Sequence, residues 1–498
     1  MSSHRLAAAL RFAGALLCAG TALACLASRR DARAPGAAVW VGAASEAPSA
    51  QALERLSGQG VADYFVEVAR LGWSAGRPVV ESLAAPRLAR RERSTLVVSG
   101  SWAAGGVDAE GAAAELARAI QGLIITAEGA GRAPIGVHFD LEVEGAPGDY
   151  ARTLAALREE LDGRLDLSAS FGPGQLVDPE AAKRLAEPLD FVVAFLYGQR
   201  PGEDEDARAW DLQSVEAAVR ELERLDRPYY LAAVTVGTAS WRARNGAVHA
   251  TSASLDLSAL VRENRLELKR GFSLEGIDRQ VYEFRAKAPV EVAGWKLAPS
   301  DSVRVVRAAT SNVEEFLRRC GAWGAERLLG PLFWRLPEPG ERLALTAANL
   351  ADALAPNPSL PALELAVERD ADAKRDWRLR VTLVNHSDEP TDLAFFDANW
   401  VELTVEGARI ADVHHGQFAR FELYHEGERA TMRALREADT VRFWAPIVDG
   451  RQRMMSGPIQ LLRTGSRPPA VRTSGRFILT DGSIVEVASR EWTFEGAR

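Results

Sequence analysis

The chain has 498 residues, 47% hydrophobic and 26% charged, with a formal net charge of -8. A chain of this length builds more than one ordinary domain and buries a large core, and its composition is that of a globular protein rather than a disordered or membrane-embedded one. The negative balance argues against a nucleic-acid surface, so no nucleic acid is expected among its partners.

The chain opens with MSSHRLAAALRFAGALLCAGTALACLASRR. A basic start, an Ala- and Leu-rich stretch and small residues before a second basic cluster make residues 1–30 an export signal. Arg11 interrupts the apolar run, which favours a cleaved leader over a permanent span. Ala22-Leu23-Ala24-Cys25 resembles a bacterial lipoprotein cleavage site, with Ala22 where Leu is usual. The expected location is therefore the periplasm or cell envelope, with the protein either released or held to the membrane by a lipid on Cys25. Cys18 also lies in the leader, so Cys320 alone of the three cysteines belongs to the body. No intramolecular disulfide is then available to the body, and its core must stabilise it. Cys320 itself follows FLRR at the end of a helical stretch and reads as a small buried hydrophobe.

From about Ala38 to Trp334, strand-length apolar runs follow one another as AVWVGA, DYFVEVA, STLVVSG, IGVHFDLEV, LDLSAS, DFVVAFLY, YYLAAVTVG and LLGPLFW. Most are separated by segments with apolar residues three and four apart, as in DAEGAAAELARAIQGLI and LQSVEAAVRELERL. Asp108, Asp149 and Asp178 stand where helix caps are expected. Strands alternating with helices imply right-handed crossovers and a parallel sheet. Eight such units predict an α/β fold, a closed (β/α)8 TIM-type barrel over residues 36–355. Two connections depart from the pattern: LGWSAGRPVVESLAAPRLARRER carries only a weak helix, and VYEFRAKAPVEVAGWKLAPSDSVRVV reads as inserted hairpins. After the prolines of ADALAPNPSLPA the pattern turns to short alternating strands, which predicts an accessory β-sandwich over residues 356–498.

Within the fourth run, Val137, Phe139, Leu141 and Val143 alternate with His138, Asp140, Glu142 and Glu144. Strands of a parallel sheet are covered on both faces, so the acidic face points into the barrel, with Asp140 and Glu142 near its C-terminal mouth. Taking carboxylates out of water costs several kcal/mol or more unless partners are supplied. The face is therefore either a functional site or a structural acid network. Glu67 in DYFVEVA is a further lumen candidate. Trp73, Trp102, Phe171, Tyr197, Trp241 and Trp334 fall at or after strand ends, and aromatics around paired carboxylates suit a sugar, whose apolar faces stack on rings while its hydroxyls bond to acids.

IGVHFDLE resembles the end of the DxxDxDxE motif of the family 18 glycoside hydrolases, the chitinase-like barrels, where the motif also lies on the fourth strand. The resemblance implies that Glu142 is the general acid and Asp140 its partner. It likewise implies that Tyr197 in FLYG and Trp334 in LFWR are sugar contacts. Ile135 and His138 replace the motif's first two Asp residues, and Gly198 follows Tyr197 where an Asp is usual, so the proton relay differs. His138 either holds Asp140 or is a satisfied core histidine. A nearer resemblance is to the bacterial domain-of-unknown-function family 3142, a family of exported glycosidase-like barrels.

Two readings stay open: a glycan-cleaving barrel with Glu142 and Asp140 as catalytic pair and Tyr197, Trp334, Trp102, His138, Glu67 and Glu144 as glycan-binding residues, or a non-catalytic glycan-binding or envelope scaffold on the same barrel. The glycines of GAGRAPIG precede a strand rather than opening a helix, and no GxxxxGK[ST] occurs, so no cofactor is expected. The adjacent His414 and His415 diverge in a strand, so no metal is expected either.

Overall fold

The computed structural model describes residues 36–45, 48–83, 93–102, 106–129, 134–143, 147–161, 163–196, 212–273, 280–355, 362–369, 377–393, 398–430, 437–465, 468–479 and 483–492. The segment expected to be an export leader, with Cys25, and the residues Glu144 and Tyr197 fall outside them.

The eight sequence runs become eight parallel strands: β1 (Ala37–Val41), β2 (Val61–Ser74), then β4 (Arg93–Trp102) after the short β3 (Arg77–Ser82), β5 (Gly136–Val143), β6 (Asp166–Phe171), β7 (Phe191–Ala194), β8 (Tyr229–Val234) and, late in the chain, Leu328–Trp334. They pair in the order β1, Leu328–Trp334, β8, β7, β6, β5, β4, β2, and a further parallel pairing of β1 with β2 closes the ring. Helices α1 (Ala50–Gly58), α2 (Ala109–Gly129), α3 (Pro147–Glu160), α4 (Pro179–Ala186) and α5 (Leu212–Arg224) connect successive strands. The outer face of the strands thus finds apolar cover. Leu96 and Val98 of β4 and Val137 and Phe139 of β5 are buried toward the helical layer, in one core with Leu116, Ile120, Leu154 and Leu157.

Asp178 caps α4 by accepting from the backbone N–H groups of Glu180 and Ala181. Asp149 lies inside the first turn of α3 instead, where it accepts from the Gly106 backbone N–H and from Arg152. No helix occupies the first irregular connection among its described residues: β2 runs on past the barrel, turns at Ala75 and Gly76, both at positive φ, and returns as the antiparallel β3. Ser-Ala-Gly carried that turn in the sequence. Gly100 of β4 meets this extension at φ +133, where a Cβ would come within 2.3 Å of the Leu71 carbonyl oxygen, so only glycine fits.

The second irregular connection is an antiparallel sheet. It comprises β9 (Thr238–Arg242), β10 (Val248–Ser252), β11 (Leu266–Ser273), β12 (Gln280–Ala286) and β15 (Ser302–Arg307), with the hairpin β13 (Val290–Val292) and β14 (Trp295–Leu297) and the short α6 (Leu257–Arg262). The last barrel strand, β16, is Leu328–Trp334, reached through α7 (Thr310–Ala322) and followed by α8 (Ala347–Leu354). Cys320 on α7 packs against the barrel core, and burial pushes its thiol up to about 12, so it is inert as a nucleophile.

Beyond residue 361 two antiparallel sheets enclose a separate core. After β17 (Leu363–Arg369), Leu379, Val381 and Leu383 of β18 (Trp377–Asn385) face Val401, Leu403 and Val405 of β19 (Trp400–Glu406), the alternation of a β-sandwich. A third core joins the two regions: Tyr282, Phe284, Val303 and Val305 of the inserted sheet pack with Leu393 and Ile447 of the sandwich.

Candidate functional site

Strand register decides which side chains enter the barrel. In the β4–β5 ladder Val97 pairs with His138, Ser99 with Asp140 and Ser101 with Glu142; in the β5–β6 ladder His138 pairs with Ser168. Paired residues of parallel strands share a face, and this is the face opposite the helical layer. The acids of β5 accordingly stand in the lumen, with His138 deepest, Asp140 above it and Glu142 exposed at the rim.

His138 is fully buried. Its ring sits between two aromatic rings, Trp40 at 5.6 Å and Phe65 at 5.3 Å, both edge-on. Its Nδ1 lies 3.0 Å from Ser168 Oγ and its Nε2 3.0 Å from Ser170 Oγ. Ser170 Oγ donates to Asp140 Oδ1 at 2.7 Å. His138 is thus a satisfied core histidine and, through one hydroxyl, also linked to Asp140.

Burial pushes the Asp140 carboxyl up to about 6; the hydrogen bond from Ser170 opposes this, and the charges of Glu67 and Glu142 add to it. Asp140 is raised because it lies deep in the lumen and has a carboxylate on either side of it. Glu67 is half-buried and held in place: its Oε1 accepts from Ser99 Oγ at 2.6 Å and its Oε2 from the Ala43 backbone N–H at 3.0 Å. Among the described residues no cation pairs with Glu67, Asp140 or Glu142. Arg335, the residue after Trp334, is engaged by Glu341 through both terminal nitrogens at 2.9 Å.

Of the aromatics marked by sequence, Trp334 reaches the lumen half-buried, its ring edge-on to Phe195 at 6.4 Å, and the Trp334–Arg335 peptide is cis. Trp102 is corrected. It lies one residue out of phase with Ser99 and Ser101, on the outer face of β4, where it is 1% exposed between Trp73 and Tyr150 and presents no ring to a ligand. Phe171 is buried on the outer face of β6 in the same way. Trp241 belongs to the inserted sheet and donates its Nε1–H to Asp301.

Ser99, Ser168, Ser170 and Trp40 were not marked in the sequence as lumen groups. The signal was present: SGS and SAS place serines two apart at the ends of β4 and β6, and Trp40 stands two residues after Ala38 on β1. Among the described residues no group of three or more His, Cys, Asp or Glu is arranged to hold a metal ion.

No protein-family model matches the chain, and no curated protein matches it. Among solved structures it is similar to the chitinase from Chromobacterium violaceum ATCC 12472, at 14% identity over 65% of this chain and 99% of that one, with a TM-score of 0.43. It is similar also to the spore cortex-lytic enzyme SleL of Bacillus cereus, at 14% identity over 65% of this chain and 74% of that one, TM-score 0.42. A third is the family 18 chitinase from Cycas revoluta, crystallised with (GlcNAc)3, at 14% identity over 64% of this chain and 98% of that one, TM-score 0.41.

Proposed function

We propose that the C-terminal mouth of this barrel binds a glycan and cleaves it, with Glu142 protonating the glycosidic oxygen and Asp140 as its partner. The observation that carries this reading is the position of Asp140. It is a carboxyl pushed up to about 6, set between Glu67 and Glu142 and below a rim open to solvent. A group that exchanges its proton near neutrality beside an exposed second carboxyl is what acid-assisted glycoside cleavage needs. Trp334 supplies a half-buried ring at the same mouth, and Tyr197 is proposed as a second contact. The resemblance of IGVHFDLE to the end of the family 18 motif further implies a substrate acyl-amino group that Asp140 orients while it attacks the anomeric carbon.

A non-catalytic glycan-binding barrel is the second reading. It is favoured by His138 and Ile135, which stand where that motif carries acids. Glycan-array binding and hydrolysis, measured side by side for the wild type and Glu142→Gln, separate the two. Cleavage lost with binding retained supports the enzyme, binding without cleavage in either protein supports the binding module, and neither binding nor cleavage refutes both.

Export, with either cleavage of the leader or lipidation of Cys25, and membership of the domain-of-unknown-function family belong to the same proposal. Mass spectrometry of the protein from its native host tests the first: an intact Met1 on cytoplasmic material contradicts it.

A further inference from the structure

We infer that His138 is an internal proton store for Asp140, the two side chains holding one proton in common through Ser170 Oγ. This deepens the reading of the mouth as an acid-assisted glycan site and rests on it for its purpose, though not for its test.

The geometry sets the direction of each hydrogen bond. A hydroxyl has one proton to give, and Ser170 gives it to Asp140 when that carboxyl is ionised. Ser170 Oγ must then accept from His138 Nε2, which fixes a proton on that nitrogen. On the other side Ser168 Oγ has two acceptors within reach, His138 Nδ1 at 3.0 Å and the Val137 carbonyl at 3.4 Å. When Ser168 turns to the carbonyl, its Oγ is free to accept from a protonated Nδ1, and with both nitrogens protonated the ring is an imidazolium facing an Asp140 carboxylate.

Transfer from that state conserves every atom. The Nε2–H bond breaks as Ser170 Oγ takes the proton, and the proton already on Ser170 passes to Asp140 Oδ1. One O–H bond forms on Asp140 and the imidazole is left neutral with its proton on Nδ1. No water is required, which suits a ring enclosed by Trp40 and Phe65. Among the described residues the charged and titratable groups around the pair are Glu67 on β2, Glu142 on the same strand and Tyr150 on α3. Deeper in the lumen lies Asp63, held by Arg93 at 3.1 Å and by the Tyr230 hydroxyl at 2.7 Å. Glu67 and Glu142 favour a proton on the pair without competing for Ser170. Ser168, His138 and Ser170 are positioning residues here; Asp140 alone meets the mouth.

The test needs no substrate, so its failure is distinct from failure of the glycan reading. The full-length protein is labelled with 15N-histidine, and the His138 ring nitrogens are identified by their loss in His138→Gln and followed from pH 4 to 8. The expected result is that Nδ1 and Nε2 change together at the midpoint of the Asp140 carboxyl, near 6, and that Asp140→Asn abolishes this step. Ser170→Ala, which cuts the link and keeps both ends, should separate the two midpoints. His138 nitrogens constant across the range in the wild type, or a step that survives unchanged in Ser170→Ala or in Asp140→Asn, overturn the inference. A coupled step in a protein that binds no glycan leaves the relay standing and removes its proposed purpose.

Discussion

The barrel mouth and the seam between barrel and sandwich both bury carboxyl groups, and they do so on opposite terms. In the seam each acid meets donors from the far side. Tyr282 Oη donates to Asp392 at 2.6 Å, Thr310 Oγ1 to Glu389 at 2.6 Å, and Ser258 Oγ to Asp449 at 2.8 Å. Asn349 Nδ2 bonds the Asp388 carbonyl at 2.8 Å, and Arg307 lies near enough to Glu389 and Asp392 to offset part of the burial that raises both. At the mouth Asp140 receives one hydroxyl and faces two like charges, with no cation paired to the three acids among the described residues. Matched donors across a seam hold two bodies together. Carboxylates set against one another work against the fold, a cost that the proposed function would explain by use of the proton itself.

The largest effect that would sharpen this contrast is on turnover. Glu142→Gln should lower glycan hydrolysis about 10²- to 10⁴-fold, about 3–5 kcal/mol in the barrier, as expected for loss of a general acid. Its unfolding free energy should stay within about 0.5 kcal/mol of wild type, because the side chain is exposed. An equal loss of stability would make Glu142 a structural acid.

Next in size, Glu389→Ala leaves the Thr310 hydroxyl and the Asn349 amide without this acceptor and opens a void. Urea unfolding should show a loss of about 2–4 kcal/mol. A neutral result would mean that the seam is held by the apolar core around Leu393 and Ile447 alone.

Asp140→Asn should act in the opposite direction. The folded-state pKa is raised to about 6 from 3.8. The stabilising contribution of this group is therefore complete below about pH 4 and lost as pH rises through 6. Removing the carboxylate should stabilise the protein by about 1–3 kcal/mol at pH 8, a shift of about two pKa units, and by almost nothing at pH 4. Denaturation curves at the two pH values check it, and a destabilised variant at pH 8 would place Asp140 with the seam acids.

The smallest effect sets the baseline. Glu368 and Arg453 lie 3.6 Å apart with both side chains largely in water. Glu368→Gln should change unfolding by less than about 0.5 kcal/mol at either pH.

The sandwich illustrates how far sequence reaches. Its strands were readable from alternation, and the prolines of ADALAPNPSLPA mark a boundary, from which the two halves read as separable. The seam bonds join residues far apart in the chain, such as Thr310 with Glu389 and Ser258 with Asp449, and such pairings leave no local trace. Limited proteolysis within residues 356–361 should consequently yield fragments that still co-elute.

By itself the sequence determined the eight barrel strands, the inserted hairpins and the acidic face of β5, because period-two alternation and the choice of apolar cover are properties of a few neighbouring residues. It also held the phase that turns Trp102 away from Ser99 and Ser101, although an aromatic at a strand end drew the opposite expectation. Tertiary structure decided the rest. His138 meets Ser168 and Ser170 only through the register of β5 on β6, and Trp40 and Phe65 reach its ring only because β1 and β2 close the barrel. The Asp140 carboxyl is raised for the same reason: desolvation and repulsion depend on depth below the rim and on Glu67, seventy-odd residues away, and neither quantity exists until the barrel is closed.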